Sequence, residues 1–261
     1  MKSATVEAAF SRDAFHRGRF WLIQPLHSGH RAGMDAMMLA AAVPSSFSGR
    51  LADFGAGAGA AGLAVAARCS AAEVVLVENA PQMLECAQKT LAEAGNAHLA
   101  KRACVLDADI SATGNARKAA GLADNSFDYV VMNPPFNQPD DRATPDSLKR
   151  SAHVAHDGLL ESWLRSAAAV VRPRGGISII VRPQALPELL SALRGRFGGA
   201  QILPIHPRAD RPAIRIIVRA IRGSRAALNL CPPLILHDNG SDRFSERADA
   251  INNGLATLFG D

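Results

Sequence analysis

The chain is poor in the residues that build metal and redox sites. Four cysteines occur in 261 residues, and Cys69, Cys86, Cys104 and Cys231 form no C-x-x-C pair. His27, His30, His153, His156, His206 and His237 make no metal-ligand run with them, so a zinc site is not expected and the thiols are read as reduced. No window approaches 18 uninterrupted apolar residues, which argues against a membrane-spanning helix. The opening Met1-Lys2-Ser3-Ala4 has no apolar signal-peptide core, and the expectation is a soluble, cytoplasmic protein. Repeats, low-complexity tracts and a clear linker are all missing, which points to a single domain over 1–261. Its parts are a cap and helix over 1–46, a core over 47–222 and an extension over 223–261. The sequence also lacks a Walker lysine and an obvious hydride-transfer pair.

What is present suits one large α/β domain, since 48% of the residues are hydrophobic. The net charge is +5, and arginine supplies 24 of the 29 cationic residues. Residues 151–225 hold twelve arginines against Asp157, Glu161, Glu188 and Asp210, a local excess of eight. One basic half is the footprint of a phosphate-bearing partner, although a genome that favours arginine gives the same composition on solvated faces.

Strand and helix patterns alternate from residue 51 onward, which implies a parallel sheet with crossover helices. Leu51-Ala52-Asp53-Phe54 reads as a strand, Gly55-Ala56-Gly57-Ala58-Gly59 as a loop and 60–68 as a helix. Glycines at alternate positions let the backbone turn tightly and let a ligand lie against bare main chain beside a helix N-terminus. The spacing Gly57-x-Gly59-x-x-Gly62, with Glu78 about 20 residues on, also satisfies the dinucleotide fingerprint. Asp53 argues for another ligand: a carboxylate inside the strand can meet an α-ammonium group, so adenosylmethionine is favoured over a nicotinamide cofactor. A second strand over 73–78 ends at Glu78, which can take both ribose hydroxyls, and Asn79 follows. A third strand over 103–106 leads to Ala108-Asp109. Asp109, chosen over Asp107, can accept from the cofactor's adenine amine while its apolar neighbour packs on the ring.

A fourth strand, 127–132, ends in Asn133-Pro134-Pro135-Phe136. Proline fixes its own φ and cannot donate to a ladder, so pairing stops there. The residue before proline is pushed out of the helical region, which leaves the Asn133 side chain and the Asn133 and Pro134 carbonyls facing outward. Two such acceptors can take the hydrogens of an exocyclic amine, return its delocalised lone pair to nitrogen and aim it at an electrophilic carbon. The catalysis would be alignment and preorganised electrostatics, with no strong base. Phe136 would stack on a planar base, a contact worth about 1–3 kcal/mol. As four residues alone, the stretch also fits an ordinary turn.

Asp53-x-Gly55-x-Gly57-x-Gly59, Glu78, Asp109 and Asn133-Pro134-Pro135-Phe136, in this order and spacing, resemble the class I adenosylmethionine-dependent methyltransferases that modify exocyclic amines. Gln24-Pro25, the stretch Gly29 to Ala36, Ile205-His206-Pro207 through Pro212-Ala213, and Leu234 to His237 are similar to the tRNA(Val) (adenine37-N6)-methyltransferase family. Ala56 and His30 depart from that pattern, which has Cys or Ser and Tyr there. The resemblance covers nearly the whole chain. It implies a Rossmann-like fold with helices on both faces of the sheet, adenosylmethionine as cofactor and RNA, most naturally tRNA, as partner. The implied catalytic set is Asn133, Pro134, Pro135 and Phe136. The implied cofactor set is Asp53, Gly55, Ala56, Gly57, Gly59, Glu78, Asn79, Ala108, Asp109 and Asn133, with Asp35 either reaching the ligand or capping its helix. Guanine-N2 methylation and protein-glutamine methylation are the alternatives within the class; a nicotinamide-dependent oxidoreductase lies outside it.

The remaining expectations are local. Residues 111–126 and 137–156 read as polar loops. Arg142, Lys149 and Arg150 could grip phosphates and His153 could approach the base, although each also fits a solvated surface. Arg31 joins Arg150, His153 and Phe136 as a candidate substrate contact. Residues 157–172 read as an amphipathic helix with a capping aspartate and with Trp163 in the core. Gly175-Gly176 reads as a turn into a strand over 177–181. A helix over 184–194 and strands near 201–205 and 214–222 complete seven strands, the last pair antiparallel. Beyond them lie a strand over 234–237 and a helix capped by Ser245 that runs to about Leu258.

Overall fold

A computed structural model of the chain describes residues 10–26, 31–135, 158–238, 240 and 242–261. The chain opens with a hairpin, β1 (Phe10–Phe15) antiparallel to β2 (Phe20–Pro25), joined by a tight turn in which His16 and Arg17 take left-handed φ of 47° and 56°. Helix α1 (Met34–Ala41) follows, with Gly33 and not Asp35 at its N-cap.

The expected alternation then appears. It runs β3 (Gly49–Phe54), α2 (Ala60–Arg68), β4 (Ala72–Glu78), α3 (Pro81–Ala92), the short α4 (Ala97–Ala100), β5 (Ala103–Asp107), α5 (Gly114–Ala119) and β6 (Phe127–Met132). Pro81 at the first position of α3 supplies a preset φ where no amide donor is needed. Helix α5 lies inside the stretch expected to be a loop. The second half holds α6 (Leu159–Val170), β7 (Val171–Val181), α7 (Leu186–Leu193), β8 (Phe197–His206), β9 (Arg215–Arg222), β10 (Asn229–Leu230), β11 (Leu234–Ile235) and α8 (Glu246–Asn252). Ser245 caps α8 by accepting from the Ala248 amide at 3.2 Å, as expected, but the helix ends at Asn252 rather than near Leu258.

The main sheet has the order β10-β8-β9-β7-β6-β3-β4-β5, with β11 also paired to β8. Strands β3, β4, β5, β6 and β7 are parallel, and β9 runs antiparallel between β7 and β8. The seven expected strands are present with the last of them antiparallel, and two short strands extend the β8 edge.

Both faces are covered, which is why the parallel strands read as unbroken apolar runs. In β4, Val74 and Leu76 join the core under α1, α2 and the hairpin, while Val75 and Val77 join the core under α6 and α7. The same alternation places Tyr129 and Val131 on the first face and Val130 and Met132 on the second.

Gly175 and Gly176 do not turn the chain into a strand. Both lie within β7, whose register shifts between its pairs to Phe127 and Tyr129. A Cβ on Gly176 would stand 2.2 Å from Tyr129 Cε2, in a ring whose hydroxyl is hydrogen-bonded to Ser178 Oγ at 2.7 Å. Gly176→Ala should therefore destabilise the fold by about 1–3 kcal/mol, the range for overpacking a core, seen as a lower urea midpoint at unchanged m-value.

Strand β3 is the pivot of the topology. From it the chain steps through β4 to β5 at one edge, then returns to β6 on the other side of β3 and continues to β7. The carboxyl ends of β3 and β6 therefore flank the switch point, where open α/β sheets present their ligand crevice.

Candidate active site

The glycine loop leaves β3 at this switch point. The Gly55 and Ala56 amides donate to the Val77 carbonyl at 2.9 and 3.1 Å, which ties the loop to β4. Gly55, Gly57 and Gly59 take left-handed φ of 70°, 57° and 94°. At Gly59 the demand is also spatial, because a Cβ would stand 2.7 Å from Leu76 Cδ1. The loop passes directly into α2, with Gly59 as its N-cap residue.

Two carboxylates support this loop from below. Asp53, 3% exposed, accepts from the Gly62 amide through Oδ2 at 2.7 Å. Burial pushes its carboxyl up to about 7; the Gly62 bond opposes that rise and the nearby Glu78 charge adds to it. Glu78, at the end of β4, accepts from the Gly57 amide through Oε2 at 2.9 Å and from the Asn79 and Ala80 amides through Oε1, both at 2.9 Å. Among the described residues no cationic side chain pairs with either acid.

That arrangement fits the adenosylmethionine expected from the sequence. A buried, cation-less Asp53 beside bare glycine backbone matches an α-ammonium group, and Glu78 matches sugar hydroxyls. One expectation needs amending. Glu78 Oε1 already receives two amides, which fills its two lone pairs, while Oε2 receives one. A grip on both hydroxyls through both oxygens therefore requires an amide to let go; otherwise one hydroxyl bonds to Oε2. Glu78→Gln places an amide donor against the Gly57 N–H. It should weaken adenosylhomocysteine binding by about 1.5–3 kcal/mol, ~10–150-fold, in a calorimetric titration.

The third acid is less committed. Ala108 is buried, with its amide on the Glu78 carbonyl at 3.2 Å, and the exposed Asp109 accepts from the Ser111 amide at 2.8 Å. Asp107 is exposed too and pairs in register with Glu78. Both stand at the carboxyl edge, as does the exposed Asn79.

At the end of β6 the pairing stops as the prolines dictate: Met132 is the last residue in register with Phe54. Asn133 is half-buried, Pro134 buried and Pro135 exposed. Among the described residues neither the Asn133 carboxamide nor the Pro134 carbonyl has a hydrogen-bond partner. Both residues follow Met132, which pairs with Phe54 directly ahead of the glycine loop, so they stand at the same edge of the sheet as that loop. Phe136, Arg150 and His153 lie outside the described residues, as do Arg142, Lys149 and the Asp157 expected to cap α6; Gly158, at φ 101°, occupies that cap. Trp163 is buried against Gly55, where a Cβ would stand 2.6 Å from its ring, and so belongs to the core as expected.

Two proposed ligand contacts are engaged within the fold. Arg31 donates to Asp13 Oδ2 at 2.7 Å, Ser11 Oγ at 2.8 Å and the Pro25 carbonyl at 3.0 Å. The buried Gln24 completes this clamp, donating to Asp13 Oδ2 at 2.8 Å and accepting from the Ala32 amide at 2.7 Å. Arg31 thus anchors the segment entering α1 to the hairpin. Asp35 forms an ion pair with Arg215 Nε at 2.8 Å, joining α1 to β9. Asp13 was not anticipated; its one sequence signal is a lone acid in a short strand beside the polar Gln24.

Among the described residues, several arginines of the basic half are engaged within the fold. Arg172 pairs with Asp128, Arg196 with Glu161, Arg208 with Asp242, Arg215 with Asp35 and Arg219 with Asp261. Arg222 is bound to Asn125 and the Val171 carbonyl. Much of the cationic excess is spent on internal contacts.

Comparison with known proteins gives the same class. The model of a family described as the methyltransferase small domain matches residues 20–203. A crystal structure described as a predicted O-methyltransferase from Agrobacterium tumefaciens is 43% identical, covering 86% of this chain and 98% of that one at a TM-score of 0.76. A tRNA1(Val) (adenine(37)-N6)-methyltransferase of Bacteroides fragilis is 24% identical over 177 residues, 67% of this chain and 70% of its own. A release factor glutamine methyltransferase of Deinococcus radiodurans is 29% identical over 162 residues, 59% of this chain and 53% of its own.

Proposed function

The chain belongs to the methyltransferase small domain family, whose methyl donor is S-adenosylmethionine, and we propose that it methylates an exocyclic base amine in RNA, namely adenine N6 of a tRNA. The observation that carries this reading is the pair of unspent acceptors, the Asn133 carboxamide oxygen and the Pro134 carbonyl, at the switch point beside the glycine loop. A hydroxyl acceptor would need a group to remove its proton before or during attack. The end of β6 offers oxygens instead, and oxygens suit an NH2 group. The likeness to the Bacteroides tRNA enzyme supports the base and the RNA class.

In this reading Asp53 and Glu78 hold the donor, Asp53 at its ammonium and Glu78 at a sugar hydroxyl, while the Gly55–Gly59 backbone lets it lie close to the sheet. When bound, the donor supplies an electrophilic methyl carbon whose bond electrons return to sulfur. Asn133 and the Pro134 carbonyl accept the two amine hydrogens, restore the lone pair to nitrogen and aim it. After transfer the nitrogen is cationic and strongly acidic, so one hydrogen passes to water without a dedicated base. Phe136 stacks on the base, which is flipped out of its own stack to reach the crevice. Guanine N2 and a glutamine carboxamide present the same NH2 chemistry, and the likeness to the Deinococcus enzyme keeps the second as the alternative.

Two measurements test the reading. Calorimetric titration should show binding of adenosylhomocysteine and none of NAD; the reverse result ends the methyltransferase assignment of this crevice. Nucleoside mass spectrometry of RNA from a strain lacking the gene should show the loss of one N6-methyladenosine. Loss of N2-methylguanosine would move the substrate to the guanine alternative, and an unchanged RNA profile with an undermethylated protein glutamine would replace RNA with protein.

A further inference from the structure

The stretch from Ile205 to Ala213 resembles the tRNA methyltransferase pattern but has no part in the chemistry above. It forms the tight connection between β8 and β9, and it is pinned at several points. The His206 ring donates from Nδ1 to the Arg211 carbonyl at 2.6 Å, the Arg211 amide donates to the Arg208 carbonyl at 3.1 Å, and the Ile214 amide closes on the Ile205 carbonyl at 2.8 Å. Arg208 ties its base to the C-terminal extension through the Asp238 carbonyl at 2.9 Å and Asp242 at 2.7 Å. On this braced turn Arg211 is exposed, and among the described residues its guanidinium has no partner.

Topology places the turn on the substrate side. Strand β9 runs opposite to β7, with Ile216 in register with Val181, so the turn lies at the carboxyl edge that also carries Asn133. In sheet order β6 is followed by β7, β9 and β8. Neighbouring strands are spaced by about 4.8 Å, which puts the turn about 10–15 Å from Asn133 across the sheet. The distance is of the order that separates a base amine from the phosphates flanking its nucleotide. The cofactor strands β4 and β5 lie on the opposite side of β3, so this flank is left to the acceptor.

We propose that the β8–β9 turn is a backbone-phosphate contact for the RNA whose base enters the crevice, with Arg211 supplying the guanidinium. The proposal rests on the RNA reading given above. A planar fork held by a rigid turn suits a phosphate oxygen pair and carries no sequence information of its own. Arg215, already paired with Asp35, sets the position of the turn against α1. Asp210 is the opposing charge on the same turn.

The test uses the full chain and bulk tRNA from a strain lacking the gene. Binding is measured from 50 mM to 1 M salt for the wild type, Arg211→Ala, Asp210→Asn and the far-edge control Arg194→Ala. Loss of one phosphate contact should reduce the slope of log affinity against log salt by about 0.7–0.9, equivalent to a loss of roughly fivefold to eightfold near 0.1 M relative to 1 M. Arg211→Ala should show that loss with unchanged adenosylhomocysteine affinity, Asp210→Asn should bind slightly more tightly, and Arg194→Ala should match the wild type. A wild-type slope for Arg211→Ala, or an equal loss in Arg194→Ala, overturns the phosphate contact while leaving the RNA reading intact. Failure of the wild type itself to bind tRNA overturns both.

Discussion

Asn133→Ala is expected to reduce methyl transfer by at least about 10²–10³-fold, the effect of deleting one preorganised polar group at a reacting centre. The side chain is half-buried and makes no hydrogen bond among the described residues, so its removal leaves no partner stranded. Stability should stay within about 0.5 kcal/mol of the wild type. Adenosylhomocysteine affinity should stay within about tenfold, or 1.4 kcal/mol, if Asp53 and Glu78 are its main anchors as proposed. Asn133→Asp keeps an acceptor oxygen and should retain more turnover than the alanine variant. Single-turnover assays, with titration as the binding control, separate the two effects. Wild-type turnover in Asn133→Ala would remove the amine clamp from the mechanism.

The second large effect is pH dependence through Asp53. Its carboxyl is raised from an ordinary 3.8 to about 7, chiefly by burial. The unfolded chain releases this proton near pH 4, whereas the ligand-free native state keeps it until about pH 7. Between those values the native state binds more protons, so this group's contribution to stability falls as pH rises. At 1.36 kcal/mol per pH unit the loss is at most about 4 kcal/mol. A cationic ligand that pairs with the carboxylate reverses the preference. Adenosylhomocysteine should therefore bind more tightly as pH rises from 6 to 8, approaching tenfold per unit below the native pKa. Asp53→Asn should flatten both profiles, raise ligand-free stability at pH 8 and weaken adenosylhomocysteine binding. A pH-independent affinity in the wild type would separate Asp53 from the ammonium.

The core of the fold was legible because its strands are buried on both faces and bounded by strong punctuation. Glycines follow β3, a proline opens α3 and prolines follow β6, and each of those boundaries fell where expected. What escaped depends on partners remote in sequence. Strand β1 has no fully buried residue and is held by its antiparallel pairing to β2. Gly175-Gly176 carries a turn signature, yet both lie within a strand, where a side chain at 176 would collide with the Tyr129 ring and one at 175 with the Asp128 carbonyl and Val171. Asp35 and Arg31 looked like free charges near a ligand; their partners, Arg215 and Asp13, lie 180 and 18 residues away. The same limit applies to the basic half. Composition reports the number of arginines but not how many find acids, and it could not single out the turn that keeps Arg211 exposed.

The central claim is that a methyl group passes to a base nitrogen held by Asn133. Its most direct test gives the purified chain tritiated-methyl adenosylmethionine and tRNA from a strain lacking the gene, then resolves the digested nucleosides by chromatography. The label should co-migrate with N6-methyladenosine and disappear in Asn133→Ala. Label in a ribose-methylated nucleoside, or label that persists undiminished in that variant, would contradict it.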